Sequence, residues 1–360
     1  MNIRRDCKFF LGDRPCKFHK ETGVRCDNCT NFVKRGKRIL IIKLAAIGDV
    51  IRTTPIITKL RQVYPNCEIT WVTYFPEVIP KTVDYVLKFD ATVLLRLQAD
   101  HFDLLLQLDK GKEACALGHL VSAKVKKGFE LRDGLCYPID ENSVEKYLTG
   151  LDDELNRKVK ICATEEYFRI AGLEYNKEKY ILDIPPTDKK FPKLPGPIIG
   201  LNTGCSSRWP TRLWPEQNWI ELAKRLDKKG YSVLLLGGEI EHEKNKRIAS
   251  ESGANYWGHH PLGDFINIVN KCDLVVTVPT LALHIAIALE KKIVLFNNIF
   301  NRNEFELYGL GEILEPDVDC LGCFKTECSK NCMEKIKVDD VVGVIDRLLK
   351  GGSGGTSAKD

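Results

Sequence analysis

Apolar and polar positions along the chain fall into two trains of short apolar runs and amphipathic stretches, with a proline-rich joint between them. In the first train, residues 39–43 read as a buried strand and the amphipathic stretch after them as a helix ending near Tyr64. Residues 69–73, 93–97 and 104–108 read as further strands. Residues 151–172 carry helical spacing (Leu151, Leu155, Val159, Cys162, Tyr167, Ile170), with Gly172 as the expected C-cap. Pro185, Pro186, Pro192, Pro195 and Pro197 then mark a domain boundary. The second train predicts strands at 198–202, 233–236, 274–277 and 293–296, and helices at 215–228, 265–270 and 282–289. Strands separated by helices of this length give βαβ units, right-handed crossovers and parallel sheets. The expected fold is α/β, with two Rossmann-like parallel-sheet domains at 36–190 and 191–350 facing a cleft. A small Cys-rich segment, 1–35, precedes them. The Gly/Ser tail at 351–360 reads as an appended linker.

The length of 360 residues suits two cores rather than one, and 44% hydrophobic with 29% charged residues describes a soluble globular chain. No apolar run approaches a bilayer span and the start lacks a signal-peptide core, so the expected location is the cytoplasm. The net charge of +5 is uneven: residues 1–43 hold 12 Lys and Arg against 4 Asp and Glu, a local excess of +8. Such a patch favours anionic partners, whether a phospholipid surface, a lipid-linked acceptor or nucleic acid. A solvated basic face is the plainer alternative.

Fourteen cysteines divide into two groups. Cys67, Cys115, Cys136, Cys162, Cys205 and Cys272 are scattered and read as reduced core thiols. The other eight form two clusters. Cys7, Cys16, Cys26 and Cys29, with His19 as an alternative ligand, have the spacing of a structural metal site. Cys320, Cys323, Cys328 and Cys332 place four thiols within 13 residues and suit zinc, iron or an iron–sulfur cluster. Four thiolates leave no open position, so neither set reads as catalytic.

In parallel sheets, ligands bind beyond the C-terminal strand ends. Asp49, after Gly48 and the first strand, is a candidate general base, or else a helix cap. The Thr54–Pro55 pair supplies a competing cap signal. After the first strand of the second train, Thr203, Gly204 and Ser206 offer backbone N–H groups and hydroxyls to an anion. Arg208 and Arg212 offer charge. Gly238 and Glu239 could meet a sugar hydroxyl or only turn the chain. Thr280 and Leu281 open a helix whose N-terminus suits a phosphate, with His284 one turn in. Trp209, Trp214 and Trp219 read as packing residues. No G-x-G-x-x-G follows either lead strand and no G-x-x-x-x-G-K-[ST] occurs. A dinucleotide redox cofactor and P-loop chemistry are therefore disfavoured. No D-x-D loop offers to hold a divalent cation under a diphosphate.

Residues 38–348 resemble glycosyltransferase family 9, the ADP-heptose:lipopolysaccharide heptosyltransferases and their relatives. The resemblance is carried by Ile39-Leu40-Ile41-Ile42-Lys43, Gly48-Asp49-Val50-Ile51, Thr54-Pro55, Trp214-Pro215, Leu235-Leu236-Gly237-Gly238-Glu239 and Leu281-Ala282-Leu283-His284. It implies a GT-B fold and inverting sugar transfer from a nucleotide-sugar without a catalytic metal or other cofactor. It also implies Asp49 as general base and Arg212 as the neutraliser of the donor phosphates. The chain departs from the family at Val278-Pro279, where Gly-Asp is usual, and at Asn297-Asn298, where Gly-Pro-Thr is common. Both departures fall on the donor side.

The reading is an inverting glycosyltransferase that moves heptose or a related sugar from a nucleotide-sugar, ADP-sugar favoured, to a lipopolysaccharide or surface-glycan acceptor. It would work in the cytoplasm, with room for peripheral contact at the inner membrane. A binding or scaffold protein with an impaired donor site is the alternative. A nucleic-acid binder is not favoured, because the basic N-terminus is modest in aromatics. A GT-B C-terminal helix often returns to the first domain, which would bring the two cysteine sets together.

Overall fold

The computed structural model describes residues 2–350, so the expected linker tail lies outside the described residues. The first sheet is ordered β3-β2-β1-β4-β5-β6. Its strands are β1 (Arg38–Ile42), β2 (Glu68–Thr73), β3 (Tyr85–Lys88), β4 (His101–Gln107), β5 (Ser122–Arg132) and β6 (Leu135–Pro138). All neighbours are parallel except the β5–β6 hairpin. The second sheet, β11-β10-β9-β7-β8, is parallel throughout. It comprises β7 (Ile198–Asn202), β8 (Ser232–Leu236), β9 (Leu274–Thr277), β10 (Lys292–Phe296) and β11 (Gly311–Leu314). The central strands are apolar on both faces (Ile39, Leu40, Ile41 and Ile42 are all fully buried) because helices cover both sides. Residues 173–197 contain no helix or strand and carry the chain from one sheet to the other.

Two expectations fail locally. Residues 93–97 are not a strand but lie in the helix Ala91–Gln98, whose N-cap Asp90 accepts from Val93 N at 2.8 Å. Its apolar run packs one side under the sheet and leaves Leu95 exposed at 70%, a helical and not an alternating division. The helix expected at 151–172 breaks into Asp153–Lys158 and Ala163–Ala171, interrupted at 159–162. Gly172 does cap the second piece in the left-handed conformation, φ 66°.

The cysteine sets lie far apart in the fold. The N-terminal segment is tied to the strand-start end of the first sheet: Lys8 pairs with Asp84 at 3.6 Å and Arg35 with Glu68, the first residue of β2, at 3.3 Å. The C-terminal set sits at the strand-end edge of the second sheet, where Asn298 Nδ2 meets Cys332 Sγ at 3.3 Å. The last helix, Val338–Lys350, does not return to the first domain. Val341, Val344 and Ile345 join the core of the second, where Tyr231 and Lys229 hold Asp346.

Candidate active site

The ends of β1, β7, β8, β9 and β10 open on one cleft of about 840 Å³ between the sheets. Asp49 enters it from the helix Ile47–Thr53. That helix is N-capped by Ala46 with no side-chain cap bond, so Asp49 is not spent as a cap. Its approach loop is pinned by Asp109, whose Oδ2 accepts from Leu44 N at 3.1 Å and Ala45 N at 3.0 Å. Thr54 is diverted from capping as well: its hydroxyl donates to Ile51 O and accepts from Ile181 N.

Asp49 keeps 34% of its side chain exposed to the cleft, and Arg52 Nη2 donates to its Oδ1 at 2.5 Å. Burial alone would raise this carboxyl, but Arg52, then Lys43 and His284, outweigh it and hold Asp49 at about 2. It is therefore ionised at neutral pH. Lys43, fully enclosed, donates to Ala45 O at 2.5 Å and lies 3.5 Å from Asp109. The imidazole of His284 packs against Gly48 and stacks on Tyr180. Burial, with Arg52 adding to it, pushes His284 down to about 3, so it is neutral.

Across the cleft, Arg212 is 3% exposed. Its guanidinium donates to Pro279 O and to Ser206 Oγ (3.4 Å), and lies over Phe300. No carboxylate pairs with it among the described residues, and burial lowers its proton affinity from the ordinary arginine value. The acceptor at Pro279 is the backbone carbonyl, which any residue at that position would present. Asn298 supports the same loop by donating to Thr211 O at 2.8 Å. Thr280 N-caps the helix Leu281–Ala288, and its hydroxyl accepts from Asn202 Nδ2 at 3.2 Å.

Of the residues singled out in the sequence, Asp49, Gly204, Ser206, Arg208, Arg212, Gly238, Thr280, Leu281 and His284 line the cleft together. Thr203 does not. It is buried beneath, its hydroxyl donating to Asn245 Oδ1 at 2.6 Å. Glu239 is exposed and outside the lining; the carboxylate there is Glu241. Glu241 Oε2 accepts from Gly238 N at 2.9 Å, and any side chain at 204 would run into Glu241. The β8 loop continues two residues further than the Gly-Gly-Glu pattern suggested before the helix His242–Ser252 starts. Trp214 and Trp219 pack in the core against Phe296, whereas Trp209 lines the cleft. Arg52, Glu304 and Asn202 also line it and were not singled out beforehand.

Among the described residues, no three Cys, His, Asp or Glu side chains converge as a bound metal ion would require. Cys320, Cys323, Cys328 and Cys332 nevertheless line a single hollow of about 510 Å³.

The profile of glycosyltransferase family 9 (heptosyltransferase) matches residues 92–333. The chain belongs to this family. As a family 9 glycosyltransferase it is 22% identical to the lipopolysaccharide core heptosyltransferase OpsX of Haemophilus influenzae, over 88% of this chain and 98% of that one. Lipopolysaccharide heptosyltransferase 2 of Salmonella typhimurium is 31% identical over 105 residues, a match that spans 27% of this chain and only 30% of that relative. In three dimensions, a family 9 glycosyltransferase from Veillonella parvula aligns with a TM-score of 0.68 at 20% identity, over 88% of this chain and 97% of that one. The E. coli heptosyltransferase WaaC with ADP aligns at 0.60 and 19%, over 87% and 98%. The iron-containing dodecameric glycosyltransferase TibC from E. coli aligns at 0.56 and 15%, over 89% and 78%. This family 9 fold is the GT-B arrangement of two parallel-sheet domains around a cleft.

Proposed function

We propose that this glycosyltransferase moves a heptose-type sugar from an ADP-sugar to a lipopolysaccharide or related surface-glycan acceptor, with inversion at the anomeric carbon. The observation that carries the reading is the pairing across one cleft of an ionised carboxylate, Asp49, with a buried arginine, Arg212, that makes no ion pair among the described residues. The acceptor hydroxyl attacks the anomeric carbon and its proton passes to Asp49. The bond from that carbon to the diphosphate breaks on the opposite face, and the diphosphate leaves with the electron pair. Arg212, Arg208, the backbone amides of the Gly204–Ser206 loop and the helix start at Thr280 meet the developing charge, without a catalytic metal. ADP is the favoured nucleotide because the solved relative WaaC is described with ADP. Glu241, not Glu239, is assigned to the donor's hydroxyls.

We place the enzyme in the cytoplasm, in reach of a membrane-borne acceptor; no helix among the described residues is long and apolar enough to cross a membrane. The domain limits 36–190 and 191–350 belong to this reading. So does a structural zinc or iron. All four C-terminal cysteines line one hollow, and they would have to draw together to hold an ion. The N-terminal four remain candidates on spacing alone. A bound metal there would supply a structural crosslink and no chemistry at the sugar.

The test is release of ADP from ADP-heptose in the presence of a deacylated lipopolysaccharide core. Wild type should turn over, and Asp49→Ala should abolish turnover while keeping the folded spectrum and ADP affinity. Equal turnover by the two rejects Asp49. Failure of wild type to bind any of a panel of nucleotides by calorimetry would favour the scaffold reading instead.

A further inference from the structure

Arg52 is held by two carboxylates from opposite sides of the cleft. Its Nη2 donates to Asp49 Oδ1 at 2.5 Å, one turn back on the same helix. Its Nη1 donates to Glu304 Oε1 at 3.1 Å, on the loop after β10 in the other domain. The guanidinium is largely buried and its Nε has no partner. A planar fork that gives one edge to each carboxylate cannot close fully on both, so a shift toward either lengthens the other contact.

The other groups facing Asp49 have their own engagements. Lys43, from β1, is held by Ala45 O and Asp109. Lys146, from the helix Val144–Leu148, is held by Glu166 at 2.5 Å. His284, from the second domain, is neutral and packed against Gly48. Arg52 itself is faced by Tyr167 and by Tyr180, whose hydroxyl burial pushes well above the ordinary phenol value. Arg52 is thus the cation that touches Asp49 directly and is also claimed from across the cleft. Asp49 Oδ2 carries no hydrogen bond among the described residues, which leaves a lone pair for an incoming hydroxyl.

Glu304 also lies in the field of Arg212 and Lys146. Close pairing with Arg52 makes Asp49 a feeble proton acceptor, and a general base works best when its proton affinity is nearer the working pH.

We propose that Glu304 is a positioning residue for sugar transfer: by drawing the Arg52 guanidinium across the cleft, it loosens the Asp49–Arg52 pair and readies Asp49 to take the acceptor's proton. The consequence for rate rests on Asp49 being the base, but the sharing of Arg52 does not.

The experiment follows the acid limb of the carbon-13 titration of the Asp49 carboxyl in the full chain from pH 1 to 6, in wild type, Glu304→Gln, Glu304→Asp, Arg52→Gln and the double variant Arg52→Gln/Glu304→Gln. ADP release from ADP-heptose is measured in parallel. Glu304→Gln should lower the proton affinity of Asp49 about tenfold, and Glu304→Asp should restore most of it. Arg52→Gln should raise it, and in that background Glu304→Gln should change it by less than about twofold. In turnover, Glu304→Gln should lower kcat about tenfold while ADP binds no more weakly than to wild type. No shift on Glu304→Gln, or an equal shift in both backgrounds, overturns the proposal. The expected titrations in a wild type inert toward ADP-heptose would instead sink the transfer reading and leave the sharing of Arg52 intact.

Discussion

The imidazole of His284 occupies the space that a side chain on residue 48 would need: a Cβ built on Gly48 falls 2.5 Å from His284 Cδ2. This is where the helix Ile47–Thr53 of the first domain meets the helix Leu281–Ala288 of the second. Gly48→Ala must push a buried aromatic ring or part the two helices. We expect a loss of about 1–3 kcal/mol in denaturant unfolding, the usual range for overpacking. The double variant with His284→Ala should unfold at a higher denaturant concentration than Gly48→Ala alone.

Arg212→Met should weaken ADP binding by about 30-fold or more in calorimetry, in line with the cost of truncating a buried charged partner. Arg212→Lys should recover only part of the loss, since an ammonium lacks the planar fork that spans Ser206 and Pro279.

Acid should destabilise the chain, and two groups in the cleft contribute to the loss. His284 is depressed to about 3 from 6.5, so between those values the unfolded chain binds a proton that the folded one refuses. Stability is therefore lost as pH falls through that interval. Asp49 is depressed to about 2 from 3.8, which stabilises the fold above 3.8 and is lost as pH falls toward 2. The melting temperature should drop from pH 7 to pH 4, and His284→Gln should flatten that drop. An unchanged slope in the variant would refute the assignment of a neutral, enclosed imidazole.

The hollow lined by Cys320, Cys323, Cys328 and Cys332 shares a wall with Thr211 and Asn298, next to Arg212. Elemental analysis of the purified chain should find zinc or iron that Cys320→Ser/Cys323→Ser releases. The same variant should lose ADP affinity through the loosened Arg212 loop. Cys26→Ser/Cys29→Ser, at the far end of the first sheet, should leave ADP affinity unchanged.

Much of this architecture was legible because burial imposes it on the sequence. Runs such as Ile39–Ile42 or Leu274–Val276 are short, mostly β-branched and apolar on both faces, as a central parallel strand requires. Asp49 and Arg212 were legible because each stands just beyond a strand of that kind. The 93–97 run was misread because Val and Leu serve a one-sided helix as well as a strand, and Asp90, the cap that decides between them, lies outside the run. Glu241 was missed because the length of a loop is not written in its glycines. The Arg52–Glu304 contact joins residues 252 positions apart across two separately folded sheets, and no local pattern encodes it.

Because the final helix stays with its own sheet, the backbone among the described residues passes between the two lobes once, through residues 173–197. That passage is stitched to the first lobe by Thr54 Oγ1 at Ile181 N and to the second by Asp264 at Thr187 and Asn267 at Pro185. Any opening of the cleft would therefore have to part the contacts that cross it, Arg52 with Glu304 and Asn301 with Asn156 among them, while this seam holds the lobes together. Thr187→Ala removes one of these stitches without touching the cleft lining.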